Sequence, residues 1–392
     1  MFFGLNLSLF YFLLVFLSNS KGIISEFISF KKWWNILIAL FAIGALFSVG
    51  GTLYRGDMSA FENAIKVIPN YLYWSLTMAT FIFLAKGNTI DLRSIYRNIS
   101  IGVVLSIIYY VFLQDFISNR LFFKSFGPNN FSFLLICSTP TLLHYLKMRF
   151  NYGTALIVFI LILLLQILEE RRAGFVLILI TGIFALNVSF FRFSNIKNVL
   201  RALVLFAFLA IIYNMPVVEN KLKSESPRLH EALYEGTETL NTDRSYLVRL
   251  AMIEKGLILF RANPYSGIGL NNFTNKGVLL DGNFVGSEYV INKDITEGVS
   301  SHNSYINILT EGGLLLFIPV VLLISSLLLA LVKRIRYLLD SEYVLLSSLV
   351  AICIHLYFIN AIVNSLTWFY FSLGIFVVIK VDQRMNRRFS NI

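Results

Sequence analysis

The sequence predicts an all-α protein: a polytopic transmembrane helix bundle of about 11–12 spans, with one large extracytoplasmic loop that contains helices of its own. Three observations carry this. Hydrophobic residues make up 57% of the 392 residues and charged residues only 14%. A soluble domain carries roughly 25% charged residues, so one water-soluble core cannot hide this much apolar surface. Apolar runs of about 20 residues, the length that crosses a bilayer as helix, recur along the chain. Lysine and arginine gather on alternate sides of those runs.

Eleven runs qualify: 2–18, 33–50, 67–85, 98–114, 126–146, 152–168, 173–191, 199–216, 303–332, 341–360 and 361–380. The first lacks a basic leading region and a small-residue cleavage site before Lys21, so a retained helix is expected rather than a signal peptide. The last two are joined by a tight turn. Residues 217–301 form the only sizeable hydrophilic segment, and at about 85 residues they are too long for a bare connection. Within them Leu247, Leu250, Ile253, Leu257 and Phe260 recur at helical spacing, and Pro264 and Gly267 end the pattern. An amphipathic helix on the outer membrane face is expected there. The organisation is therefore 1–216 for the first eight spans, 217–301 for the extracytoplasmic loop, and 302–392 for the last three spans and a cytoplasmic tail.

Of the 33 lysines and arginines, 18 fall in one set of loops and 6 in the opposite short loops. The remaining 9 lie in the long loop, where 11 acidic residues offset them. The positive-inside rule puts the first set in the cytoplasm and the amino terminus and long loop outside. The net charge of +11 thus reads as a topology signal, and no nucleic acid partner is expected. Segments 67–85, 98–114, 152–168 and 173–191 contain no Asp, Glu, Lys or Arg. That argues against an ion-coupled transporter, which places ionisable groups near the midplane. His355 is the midspan exception and is expected to be a core histidine bonded to a neighbouring helix. Cys137 and Cys353 sit inside apolar runs, so no disulfide framework is expected. No His/Cys spacing matches a zinc site and no Walker motif is present, so neither a metal nor a nucleotide is expected.

Four polar segments cluster at the predicted outer side, and each has a functional and a structural reading. Ser300-Ser301-His302-Asn303-Ser304-Tyr305 runs into Glu311-Gly312-Gly313. Ser301 is a candidate N-cap for the ninth span, with His302 at the helix entrance, either as a general base or as an ordinary interfacial histidine. Glu169-Glu170-Arg171-Arg172-Ala173-Gly174 offers two arginines that can clamp a phosphate or pair with the adjacent glutamates. Arg120 and Lys124 precede Gly127-Pro128-Asn129-Asn130, which is a basic binding loop or a plain helix entry. Arg249 lies fifteen residues before Pro264-Tyr265-Ser266-Gly267-Ile268-Gly269-Leu270-Asn271-Asn272-Phe273. Its Gly-x-Gly follows no strand, so a dinucleotide site is a poor reading and a turn seating the amphipathic helix is the structural one.

Taken together, these segments resemble the O-antigen ligase and O-antigen polymerase superfamily of bacterial envelopes. The resemblance rests on His302-Asn303 with Glu311 and Gly313, and on Arg249 before Pro264, Gly267, Gly269, Asn272 and Phe273. It rests also on Arg172-Ala173-Gly174, and on Arg120 before Gly127-Pro128-Asn129, and it covers roughly residues 115–330 in order. It implies a metal-independent inner-membrane glycosyltransferase without a cofactor, acting on the periplasmic side in surface polysaccharide assembly. It implies an undecaprenyl-diphosphate-linked glycan as donor and another glycan or the lipid A core as acceptor. The lipid bilayer and a chain-length regulator are the further implied partners. His302, Arg172 and Arg249 would be catalytic, and Arg120, Lys124, Arg171, Asn303 and Asn129 would bind substrate. Leu314-Leu315-Leu316-Phe317 follows Gly313 with no second histidine, which favours the polymerase slightly over the ligase. The usual twelve spans of the family exceed the eleven counted. Glu311 lies about two and a half helical turns past His302, on a roughly opposite face, so a structural role is expected for it. The alternative function is a lipid-linked oligosaccharide flippase or transporter.

Overall fold

The apolar runs fold as helices whose ends are set by capping and tertiary contact rather than by hydropathy alone. The computed structural model describes residues 18–25, 33–86, 91–113, 128–168, 172–188, 244–278, 298–361 and 364–389. Among these the regular structure is helical and no strand occurs. In chain order the helices are α1 (Trp33–Tyr54), α2 (Met58–Lys86), α3 (Leu92–Ile108), α4 (Pro128–Arg149), α5 (Tyr152–Leu168), α6 (Arg172–Leu186), α7 (Arg244–Ala262), α8 (Ser304–Lys333), α9 (Asp340–His355) and α10 (Ser365–Phe389). A π turn, Tyr109–Leu113, continues α3, and a 3-10 turn, Ile335–Tyr337, follows α8. The predicted spans 2–18 and 199–216 lie outside the described residues.

The boundaries shift for physical reasons. Helix α2 begins well before residue 67 because the Asp57 carboxylate accepts the Ala60 N–H at 3.0 Å and caps it. Helix α10 runs past the apolar stretch because Arg334 clamps Asp382 with two bonds, at 2.6 and 3.1 Å. Helix α9 stops at His355, short of the expected residue 360. Five of the described helices are long and apolar enough to cross a bilayer: α1, α2, α3, α8 and α10. Helices α5 and α6 are apolar but shorter.

The chain contributes to two compact units, and neither is continuous in sequence. The first draws on Met1–Ile90, Arg244–Tyr337 and Leu356–Ile392. In it α1 packs against both α2 and α8, α10 packs on α2, and α7 packs on α8. Its aromatic core stacks Trp74 on Trp368 at 5.4 Å, with Phe41 and Tyr71 beside them. Gly44 of α1 faces the backbone of Leu315 and Leu316, where a side chain would collide, so α1 and α8 approach closely.

The second unit draws on Asp91–Asp243 and Leu338–His355. Helix α4 is its hub and contacts α3, α5, α6 and α9. Ser132 donates to Gln166 Oε1 at 2.7 Å, and Lys147 donates to the Leu186 carbonyl at 2.7 Å, capping the end of α6. His355 is buried at the end of α9 and stacks on Phe133, with ring centroids 5.8 Å apart.

Candidate active site

The entrance to α8 is built by two short polar residues around a histidine. Asn303, not Ser301, is the N-cap: its Oδ1 accepts the N–H groups of Tyr305 and Ile306 at 3.0 and 3.1 Å. Ser301 sits one step further out. Its hydroxyl lies 3.0 Å from the Asn303 carbonyl and 3.3 Å from Asn307 Oδ1, and it accepts the Asn303 N–H at 3.4 Å. The cap moved because Asn303 holds extended backbone (φ −147°, ψ 112°) immediately before the first helical residue. Between the two, His302 adopts φ +47°, the left-handed region that a histidine seldom occupies. Ser304 fastens the same entrance from the other side, donating from Oγ to the Ile359 carbonyl at 2.6 Å and accepting the Ala361 N–H at 2.8 Å.

Nine residues on, α8 is broken. Gly313 has φ +61° and ψ −167°, outside helical geometry. In an unbroken helix Leu314 N–H would bond the Thr310 carbonyl and Leu315 N–H the Glu311 carbonyl. The Gly-rich turn of residues 264–269 takes over all four groups. Ile268 donates to Thr310 O at 2.9 Å and Gly269 to Glu311 O at 3.0 Å. Leu314 donates to Pro264 O at 2.8 Å and Leu315 to Tyr265 O at 3.1 Å. Ser48 of α1 adds a third donor to the break, 2.7 Å from Glu311 O. Irregular backbone inside a membrane helix is tolerated when buried in protein with its polar groups met, and this turn meets them. A Cβ on Gly267 would strike the Glu311 carbonyl, and one on Gly313 would strike the Tyr265 carbonyl, so the two glycines allow the docking.

The remainder of the turn is tied down in the same way. The buried Glu311 carboxylate accepts the Phe273 N–H at 2.9 Å and is also bonded by the Asn271 and Asn272 backbone and the Asn307 side chain. Asn272 donates to the carbonyls of Ala60 and Leu270 at 2.9 and 3.0 Å. Lys276 pairs with Asp57 at 2.6 Å, and these hydrogen bonds and this charge hold the Asp57 carboxyl down at about 2. Glu311 is thus the seat of the turn, the structural role that its spacing from His302 suggested.

Helix α7 supplies the charges. It ends before Pro264, as its pattern predicted, but the expected stripe is only half-buried: Leu250, Ile253, Leu257 and Phe260 are of intermediate exposure. The fully buried face is instead Ala251, Met252, Lys255, Gly256 and Leu259. Gly256 turns this face inward because it allows close contact with α8, where Thr310 Oγ1 donates to the Gly256 carbonyl at 3.0 Å. Lys255 is 0% exposed, with its ammonium 4.6 Å from the centre of the Phe273 ring, a cation–π contact. No spacing signal distinguished this lysine. Arg249 lies nearer the start of α7, and its positive charge acts on His302. Partial burial first, and then that charge, push the His302 imidazole below its ordinary value. A histidine so placed is a neutral proton acceptor at neutral pH.

The first unit therefore brings together His302, Asn303, Arg249, Glu311 and the Gly-rich turn. Two other expected site residues, both of the second unit, fall among the described residues. Asn129 is exposed in the first turn of α4, which opens with Pro128 at the position proline favours. Arg172 is the first residue of α6, and its side chain lies outside the described residues. Arg120, Lys124 and Arg171 also lie outside them. Among the described residues no group of three His, Cys, Asp or Glu is placed to hold a metal ion.

Fold and site together define a polytopic α-helical membrane protein with a broken helix, a Gly-rich turn plugged into the break, and a neutral histidine at the helix entrance beside an arginine. Residues 153–321 match the protein-family model described as O-antigen ligase. The match runs from α5 into α8 and takes in Arg172, Arg249, the Gly-rich turn, His302 and Glu311. Over that stretch the chain is similar to the O-antigen ligase family. No curated protein matches the chain.

Proposed function

We propose that this chain is a glycosyltransferase of the bacterial inner membrane. It moves a glycan from an undecaprenyl-diphosphate donor to an acceptor sugar hydroxyl on the periplasmic side. The observation that carries the reading is His302, held in a left-handed conformation at the entrance of α8 with Arg249 acting on it. His302 takes the proton of the acceptor hydroxyl as its oxygen attacks the anomeric carbon. The bond from that carbon to the diphosphate oxygen breaks, and undecaprenyl diphosphate leaves with the electron pair. In this scheme the role of Arg249 and Arg172 is to stabilise the charge that develops on the leaving group, and that of Arg120, Lys124 and Arg171 is to bind the donor. Asn303 and Asn129 bind substrate in this scheme, Asn303 through the part of its side chain not committed to capping α8. The activated diphosphate supplies the driving force, so no nucleotide is needed, and the arginines take the leaving-group charge in place of a metal. Polymerisation is favoured slightly over ligation because Leu314-Leu315-Leu316-Phe317, with no second histidine, follows Gly313 directly.

The test is a lipopolysaccharide gel from a deletion strain carrying the wild-type gene or His302→Ala. Lipid A core bearing one repeat unit in the deletion identifies a polymerase. Bare core with lipid-linked polymer accumulating identifies a ligase. Lipid-linked repeat units trapped on the cytoplasmic leaflet would indicate a flippase instead. His302→Ala is expected to behave as the deletion while inserting normally, since a general base contributes about 10²–10⁴ in rate. A normal ladder in that variant removes His302 from the chemistry.

A further inference from the structure

We propose that Glu311, Asn307 and Ser301 form a buried relay that positions His302, with Glu311 as its anchor. The proposal rests on the reading of His302 as the base, and the three are positioning residues because they act through His302.

All three are buried, at 4%, 2% and 0% exposure for Glu311, Asn307 and Ser301. Asn307 and Glu311 are four apart on α8 and share a face. The Asn307 side chain bonds the Glu311 carboxylate. A carboxylate only accepts, so it takes the amide nitrogen and leaves Oδ1 pointing away. That oxygen lies 3.3 Å from Ser301 Oγ. Ser301 also brackets His302, meeting both the N–H and the carbonyl of Asn303. The carboxylate thus selects the amide orientation, the amide fixes the serine, and the serine closes the loop around His302.

A second route reaches the other side of His302 from the same carboxylate. Glu311 holds the Phe273 N–H, and the next residue, Thr274, accepts the Gly298 N–H at 2.7 Å. Val299 and Ile306 pack against the cluster of Phe273, Ala251 and Met252. Both routes end within four residues of His302. Without them the histidine is free to relax from φ +47° to the extended region, which swings the imidazole out of its place beside Arg249.

The experiment uses the full chain in nanodiscs, with Ser301→Ala, Asn307→Ala and Glu311→Gln. Two readouts are taken: kcat and KM for lipid-linked donor, and the rate at which diethyl pyrocarbonate modifies His302 at fixed pH, with His302→Gln as background. In each variant kcat is expected to fall at least about tenfold with KM within about twofold, and the His302 modification rate to change by about threefold or more. A wild-type modification rate in folded Ser301→Ala and Glu311→Gln overturns the relay, even if kcat falls. If Glu311→Gln fails to fold, Ser301→Ala, which removes a single oxygen, decides alone. Altered His302 reactivity in a protein that transfers no glycan upholds the relay and defeats the enzymatic reading.

Discussion

His302 combines two unfavourable conditions, a left-handed backbone and partial burial next to a positive charge. Together they place a neutral imidazole at the entrance of α8. A lowered value means that the proton is lost at lower pH, so the base is available throughout the neutral range. The acid limb of kcat/KM is expected below about 6.5, the ordinary histidine value. Arg249→Gln removes the repulsion but not the desolvation, so it should move that limb upward, part of the way back. A pH profile of the two proteins checks this, and an unmoved limb separates Arg249 from the base. His302 and Asn303 were legible as a pair because polar residues at a span boundary stand out against an apolar run. Which of Ser301 and Asn303 caps the helix was not legible, because both are good caps and only backbone conformation chooses between them. Lys255 was invisible for a related reason. A lysine in a hydrophilic segment reads as solvated until the fold lays it over Phe273.

At the scale of elements, the break in α8 is the central device. Four backbone groups exchange partners with the 264–269 turn, so the helix and the turn stabilise one another. Gly313→Ala is expected to cost roughly 1–3 kcal/mol from backbone conformation alone, before its clash with Tyr265 is counted. Gly50→Ala is the control, since a Cβ there meets no atom within 4 Å and α1 gains a better helix former. Thermal unfolding of the two variants in one detergent should show a large loss for the first and none for the second. Equal midpoints would mean that the break does not carry the packing. Asp57→Ala should cost about 1 kcal/mol through the lost α2 cap, and the Lys276 pair goes with it. Because the folded carboxyl is held at about 2, its contribution is present above the ordinary carboxylate range and is lost as pH falls towards 2. An acid titration of wild type against Asp57→Ala should therefore converge at low pH. Helix existence was legible from hydropathy in all these elements. Their ends were not, because Asp57 and the Arg334–Asp382 pair extend helices into polar sequence.

For the whole molecule, the distribution of charge makes a directional claim. With Cys137 and Cys353 replaced by alanine, a cysteine at Arg261 should react with an impermeant maleimide added outside the cell. A cysteine at Arg388, in the exposed end of α10, should react only after permeabilisation. The reverse pattern would invert the proposed sidedness and move His302 away from periplasmic substrates. The all-helical class and the likeness to the O-antigen ligase family were legible in the sequence because apolar run length, charge sidedness and short motifs are local properties of a chain. Tertiary structure decided which residues those motifs serve. The Phe273 amide and the Glu311 carboxylate are 38 residues apart, and so are drawn together only by folding. Glu311 is neither solvated nor facing His302, and burial left its carboxylate to bond the turn and Asn307. Composition, run length and charge placement were enough to read a helical membrane protein with a polar cluster around His302. The packing of α7 and the Gly-rich turn against a broken α8 decided how that cluster is held, because a buried polar group must find its hydrogen bonds wherever the fold supplies them.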